Sequence, residues 1–152
     1  MALTADFVVR RGRAEDMAYV FSSWLKSSRK ESPEVRTDDW MAGQHRRVTW
    51  LIRTSGVLHI VHPVGAPDVI VAWAMLDAAP SVVHFVFVRQ EHRGRGLARY
   101  LLEGRRVCTH LTVEGQGLKR KLGLRYMPHL LDGGWEHEPR SVLRGDSPLA
   151  SG

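Results

Sequence analysis

The sequence predicts a mixed α/β (α+β) domain: a mainly antiparallel sheet of about six strands flanked by about four helices. Three observations point there. Two N-terminal stretches carry apolar residues at helical spacing, three β-rich runs follow with only short gaps between them, and a glycine-rich turn then restores the helical period. Gaps that short can join antiparallel neighbours but leave no room for a parallel crossover.

Taken in order, Asp6 to Arg10 reads as a strand, and Gly12 leads into a helix over Ala14 to Ser28. Met17, Val20, Phe21, Trp24 and Leu25 form one stripe on it, facing a core. Pro33 and polar neighbours make 27–36 a loop. Thr37 can cap a second helix, whose stripe is Trp40, Met41, Gln44, His45, Val48, Leu51 and Ile52, and Gly56 ends it. Strands follow at Val57 to Val61, Val69 to Leu76 and Val82 to Val88. Leu97, Tyr100, Leu101, Gly104 and Val107 return to helical spacing. A strand at Cys108 to Thr112, a helix at Gln116 to Leu122 stopped by Gly123, and a strand at Leu124 to Leu131 complete the domain. Residues 1–131 thus form one domain, and 132–152, rich in Gly, Pro, Ser and charge, read as a loose tail.

Composition narrows the function classes. A lone cysteine, Cys108, rules out an internal disulfide and a multi-cysteine zinc site, and it reads as a small core residue. His59 and His62, three apart on a strand, face opposite sides and make poor metal co-ligands, so no metal is expected. No apolar run has the length of a membrane span and the N-terminus lacks a signal-peptide pattern, so a soluble, cytoplasmic protein is expected. The formal net charge is +6, and residues 89–125 alone carry ten Lys and Arg against three Glu. Such a field suits a polyanion: a phosphorylated cofactor, nucleic acid or an acidic protein face.

The chemistry concentrates in HFVFVRQEHRGRGLA, residues 84–98, where a buried strand runs through a glycine-rich turn into a helix. Backbone N–H groups at a helix start have no intrahelical partner and attract anions. Gly94 and Gly96 let a phosphate approach that backbone, and Arg93 and Arg95 add forked donors. The stretch lacks the Lys-Ser or Lys-Thr of a Walker A loop, and Arg99 stands where a dinucleotide fingerprint needs its third glycine.

Arg93, Gly96 and Ala98 do match R-x-x-G-x-A, which resembles the acetyl-CoA pyrophosphate loop of the GNAT superfamily of N-acetyltransferases. The element order over 6–131 is similar to that family's, as is LKRKLGL at 118–124. SWLKS at 23–27, HFVFV with RGRGLA, and KLG followed by YMPHLL resemble small GNAT-like proteins encoded by tailed bacteriophages. The resemblance implies acetyl-CoA as cosubstrate and direct acetyl transfer to a primary amine of a small molecule or protein. It implies that Val86 N–H polarises the thioester carbonyl, that Val88 meets the pantetheine arm, and that Arg93, Gly94, Arg95, Gly96, Leu97 and Ala98 cradle the pyrophosphate. An attacked thioester develops an oxyanion, which a fixed backbone donor stabilises.

His84, two residues before Val86, falls on the same strand face at period 2 and is the candidate base. The competing reading is a hydrogen-bonded sheet histidine. Where many relatives have a tyrosine acid, four residues before Gly123, this chain has Lys119. Tyr126 from the next strand, or Lys119 through its charge, is then the candidate to meet the leaving thiolate. That departure keeps a second function open: a catalytically weak GNAT-like module whose basic face binds nucleic acid or a host protein. The polar end of the first helix should border the acceptor pocket, but the acceptor and the oligomeric state are not legible.

Overall fold

The computed structural model describes residues 5–29, 42–43, 45–46, 49–51, 53, 56–77, 81–109 and 113–127. Strand β1, Phe7–Arg11, leads through a 3-10 turn, Ala14–Asp16, into helix α1, Met17–Arg29. Helical residues at 42–43, 45–46, 49–51 and 53 form α2. Strands β2 (Gly56–Pro63), β3 (Ala72–Asp77) and β4 (Val82–Val88) follow, then a 3-10 turn at Gln90–His92 and helix α3, Leu97–Leu101. Strand β5 (Val107–Cys108), helix α4 (Val113–Leu122) and strand β6 (Arg125–Tyr126) end the described chain. The six strands lie in sequence order in one sheet. The pairings from β1 to β4 are antiparallel, and those of β4 with β5 and β5 with β6 are parallel.

Alternation of side chains sorts the core onto two faces. On one, Met17, Val20 and Trp24 of α1 and Leu51 of α2 pack on Leu58, Ile60, Trp73, Met75 and Phe85. Trp24, Trp73 and Phe85 meet with ring centroids 4.8–5.5 Å apart, and the Trp73 indole N–H donates to Ser23 Oγ at 2.8 Å. On the other face Leu97, Leu101 and Leu102 cover Val61, Ala72, Ala74, Leu76 and Val83, with Leu118 and Leu122 of α4 packed against them. Cys108 is buried in this second core, and burial pushes its thiol up, partly opposed by the charge of Lys119. The N-terminal edge is tied by Arg10 and Asp16, whose side chains bond at 2.7 and 2.8 Å. Burial alone would raise the Asp16 carboxyl, but the Arg10 guanidinium and the Arg13 N–H overcome it and hold it below its usual range.

Several boundaries differ from expectation. Gly56 does not end α2; it opens β2, paired with Asp77. Helix α3 stops at Leu101, well before Val107, because Leu102 leaves helical geometry and Gly104 takes φ of 80°. Strand β5 is only two residues long, α4 starts three residues earlier than expected, and β6 covers only Arg125–Tyr126. The anticipated cap Thr37, the stripe residues Trp40, Met41, Gln44, Val48 and Ile52, and the tail 132–152 lie outside the described residues.

Gly12 is held against β2 by its N–H, which donates to the Leu58 carbonyl at 2.8 Å. A Cβ there would run into Cδ2, Cγ and Cβ of Leu58, a residue 1% exposed. Gly12→Ala is therefore expected to destabilise the fold by about 1–3 kcal/mol, an overpacking cost. A thermal melt checks this, and an unchanged midpoint would contradict the close approach.

Candidate functional site

Among the described residues, strand β4 pairs with β5 at Val82 and Val83 and not along the rest of its length. The Arg89 N–H donates to the Val71 carbonyl at 2.9 Å. Along an antiparallel strand, successive residues turn their N–H and C=O groups to opposite edges. Phe87 and Phe85 are thereby turned to β3, while the peptide groups of Val86 and Val88 face the edge that β5 has left. The Arg93 Nε–H donates to the Val88 carbonyl at 3.0 Å on that same edge.

A cavity of about 600 Å³ opens at this parting. Its floor is Phe85 to Val88 of β4; one wall is Arg93, Gly94, Gly96, Leu97, Ala98 and Arg99, and the other is Leu118, Lys121 and Leu122 of α4. Ser27, at the far end of α1, and His92 complete the rim. Gly94 and Gly96 have φ of 81° and 79°, left-handed conformations that disfavour a side chain, and no atom stands within 4 Å of a Cβ built on Gly94. The result is an apolar trough with the Val86 and Val88 peptides along its floor, the Val88 carbonyl taken by Arg93, and with Arg93, Arg99 and Lys121 in its lining. It suits an elongated ligand with amide groups along an arm and anionic groups at its head.

Of the residues expected at the cofactor, Val86, Val88, Arg93, Gly94, Gly96, Leu97 and Ala98 all line this cavity. Arg95 does not; it lines a neighbouring depression with Arg99 and Arg105. Arg99 and Lys121 are the cations that sequence reasoning missed. Lys121 follows Leu118 by one helical turn, so the apolar residues of α4 that face the trough bring it along.

The three residues weighed for catalysis are placed differently. His84 does not share a face with Val86. The β3–β4 register pairs Met75 with Phe85 but Leu76 with Val83, so His84 is an extra residue in β4, a bulge that breaks the period of two. Its ring is 2% exposed and both nitrogens are engaged, Nε2 with Asp77 Oδ2 at 2.8 Å and Nδ1 with Thr109 Oγ1 at 2.9 Å. Asp77 alternates with Leu76, and Thr109 with Cys108. Both partners therefore lie on the face opposite Val83 and Val86, which puts the imidazole there too. An ionised carboxylate only accepts, so Nε2 carries a proton toward Asp77. Lys119 is absent from the lining and lies near enough to Cys108 to act on its thiol. Tyr126, 46% exposed on the edge strand β6, is also outside the lining.

Part of the charge excess has structural uses. Arg105 donates to the carbonyls of Asp77 and Val82 at 3.1 and 2.9 Å, and Arg89 pairs with Glu91 at 3.1 Å. Among the described residues, no group of three potential metal ligands is present, and no helix is long and apolar enough to cross a membrane.

The acetyltransferase (GNAT) family profile matches residues 17–105. No curated protein sequence matches significantly. Similar solved structures include a possible acetyltransferase from Clostridium difficile 630, at 17% identity and a TM-score of 0.46, covering 63% of this chain and 66% of that one. They also include the aminoglycoside N-acetyltransferase AAC(6')-Iy in complex with CoA, at 14% identity and a TM-score of 0.46, covering 84% of this chain and 93% of that one. The same enzyme with the bisubstrate analogue CoA-S-monomethyl-acetylneamine aligns at 16% identity and a TM-score of 0.43, over 78% of this chain and 90% of that one. With the family's profile spanning α1 to the turn beyond α3, more than half of its length, this chain belongs to the acetyltransferase (GNAT) family of acyltransferases.

Proposed function

We propose that the protein transfers an acetyl group directly from acetyl-CoA to a primary amine of a small molecule or protein. The observation that carries this is that Val86 and Val88 of β4 line one cavity together with Arg93, Gly94, Gly96, Leu97 and Ala98 of the turn. In this reading the Val88 peptide pairs with the amide-bearing pantetheine arm, the Val86 N–H faces the thioester carbonyl, and Arg93, Arg99 and Lys121 meet the phosphates. The neutral amine nitrogen bonds to the acetyl carbon, the carbon–sulfur bond breaks, and the sulfur leaves as a thiolate while the proton shed by the nitrogen passes to water or to that sulfur. A thiol pKa near 8.5 makes that departure feasible without a dedicated acid. His84 is assigned to positioning: it pins the bulge that sets which edge Val86 and Val88 present. Likeness of SWLKS and RGRGLA to small phage-encoded proteins adds nothing about the acceptor.

Calorimetry is expected to show saturable one-to-one binding of acetyl-CoA. Thiol release over an amine panel should then identify at least one acceptor. Absence of any binding would refute the proposal. A second reading, a weakly catalytic module with a basic binding face, draws support from the placement of His84, Lys119 and Tyr126 outside the lining. Cofactor binding without thiol release for any amine, together with strongly salt-dependent nucleic-acid binding, would favour it.

A further inference from the structure

Strand register gathers arginines at the end of the sheet away from the glycine turn. Strand β1 finishes there at Arg11, which pairs with His59 of β2, and β4 begins there at Val82. At the same end β5 and β6 open at Val107 and Arg125, which pair with each other, and Val107 also pairs with Val82. Arg106 precedes β5, and its carbonyl accepts the Arg125 N–H at 2.8 Å. Arg105 is fixed beside them by its bonds to the Asp77 and Val82 carbonyls. Arg11, Arg106 and Arg125 are exposed and make no ion pair among the described residues, whereas Arg10 and Arg89 are paired with Asp16 and Glu91. The acids nearby are Asp77, bonded to His84, and Glu103, which shares a depression with Arg105. The positive charge runs across the sheet end: burial, then Arg105 and Arg11, hold His59 below its ordinary range, so one imidazole feels both cations.

Strands about 4.8 Å apart put β1 and β6 about 24 Å from one another, so the four arginines form a row and not a ring around a concavity. A row of forked donors matches a linear, repeating anion. The row lies at the start of β4 and the glycine turn follows its end, seven residues or about 20 Å along the strand, so a polyanion on the row leaves that turn free. An acidic protein face would need an apolar centre to hold it, and the large apolar side chain exposed beside these arginines is Tyr126 alone among the described residues of β5 and β6. Arginines at strand ends reach phosphates without sending an element into a groove, which makes the contact independent of base sequence. We propose that this row binds the sugar–phosphate backbone of a nucleic acid, at a surface separate from the trough, and so places the acetyltransferase on nucleic acid with the trough unobstructed. The inference does not depend on the CoA reading and does not require catalysis to be weak.

The test is fluorescence anisotropy of a short labelled DNA duplex with the full chain, followed as a function of salt. Each neutralised phosphate contributes about −0.9 to the slope of log affinity against log salt, so contacts from this row predict a slope of about −3. Arg106→Ala combined with Arg125→Ala is expected to bring the slope to about −1 and to weaken binding about tenfold at low salt. Both side chains are exposed, so the melting midpoint should hardly move. Arg106→Lys with Arg125→Lys should keep the slope, because the charge remains. Saturating acetyl-CoA should not displace the duplex. No binding at low salt, a parental slope in the double alanine variant, or displacement by acetyl-CoA would overturn the proposal. So would poly-glutamate binding as tightly as the duplex, which would give the row to an acidic protein face.

Discussion

Arg93→Ala combined with Lys121→Ala is expected to weaken acetyl-CoA binding by about a hundredfold while leaving the melting temperature nearly unchanged. Both exposed side chains line the trough, one from the glycine turn and one from α4. A hydrogen bond to a charged group is worth about 1.5–3 kcal/mol, and water competes at an open rim, so about 1.4 kcal/mol per cation is the working value. Surface substitutions of this kind usually change stability by less than about 0.5 kcal/mol. Calorimetry and a thermal melt on the same preparation separate the two effects. Wild-type affinity in the double variant would remove the phosphates from this turn. Arg93→Lys should fall between the parent and Arg93→Ala, because it keeps the charge and loses the planar fork.

The part of the site that local sequence dictates was legible. Strand β4 begins and ends where its apolar run does, and both glycines of the following turn adopt the left-handed conformation their residue type permits. The same residues predict an open turn beside the strand, and Arg93, Gly94 and Gly96 line the trough there. Long-range pairing was not legible. Nothing in the HFVFV pattern reveals that β3 accommodates one residue fewer than β4 supplies, and that single insertion turns His84 away from Val86. Asp77 and Thr109, its partners, lie 7 and 25 residues away in sequence, and neither stood out as chemical.

The same distinction separates the basic residues. Charge counting located the excess between 89 and 125 without assigning it. Arg105 is drawn to carbonyls 23 and 28 residues upstream, which only the sheet topology brings within reach. Arg95 and Arg93 look equivalent in sequence, yet the left-handed glycines on either side of Arg95 divide them between two concavities. The end of α3 was misread for a related reason. Leu102 continues the apolar content and is buried at 3%, but it reaches the core from a turn and not from a longer helix.

His84→Ala is expected to lower stability by about 3 kcal/mol, a value set by what the imidazole leaves behind. The substitution opens a void in a site that is 2% exposed, and it removes the imidazole's hydrogen bonds to Thr109 Oγ1 and Asp77 Oδ2. A lost hydrogen bond costs about 0.5–1.5 kcal/mol, more where the partner is charged, and the void adds to that. For a chain of this size that loss is worth about 6–12 °C in the melting midpoint. A histidine acting only as a base would behave differently: turnover would fall, its pH profile would lose a limb, and the melt would hardly move. His84→Asn, which can keep one of the two bonds, should recover part of the midpoint. The effect should also reach the cofactor. The bulge is what lets Phe85 and Phe87 enter one core while Val86 and Val88 offer their peptides to the cleft, since a shift of one residue exchanges every face and edge. Loosening it is therefore expected to weaken acetyl-CoA binding in the folded protein, measured below the onset of melting. Full affinity in a destabilised His84→Ala would show that the packed faces alone hold the strand in register.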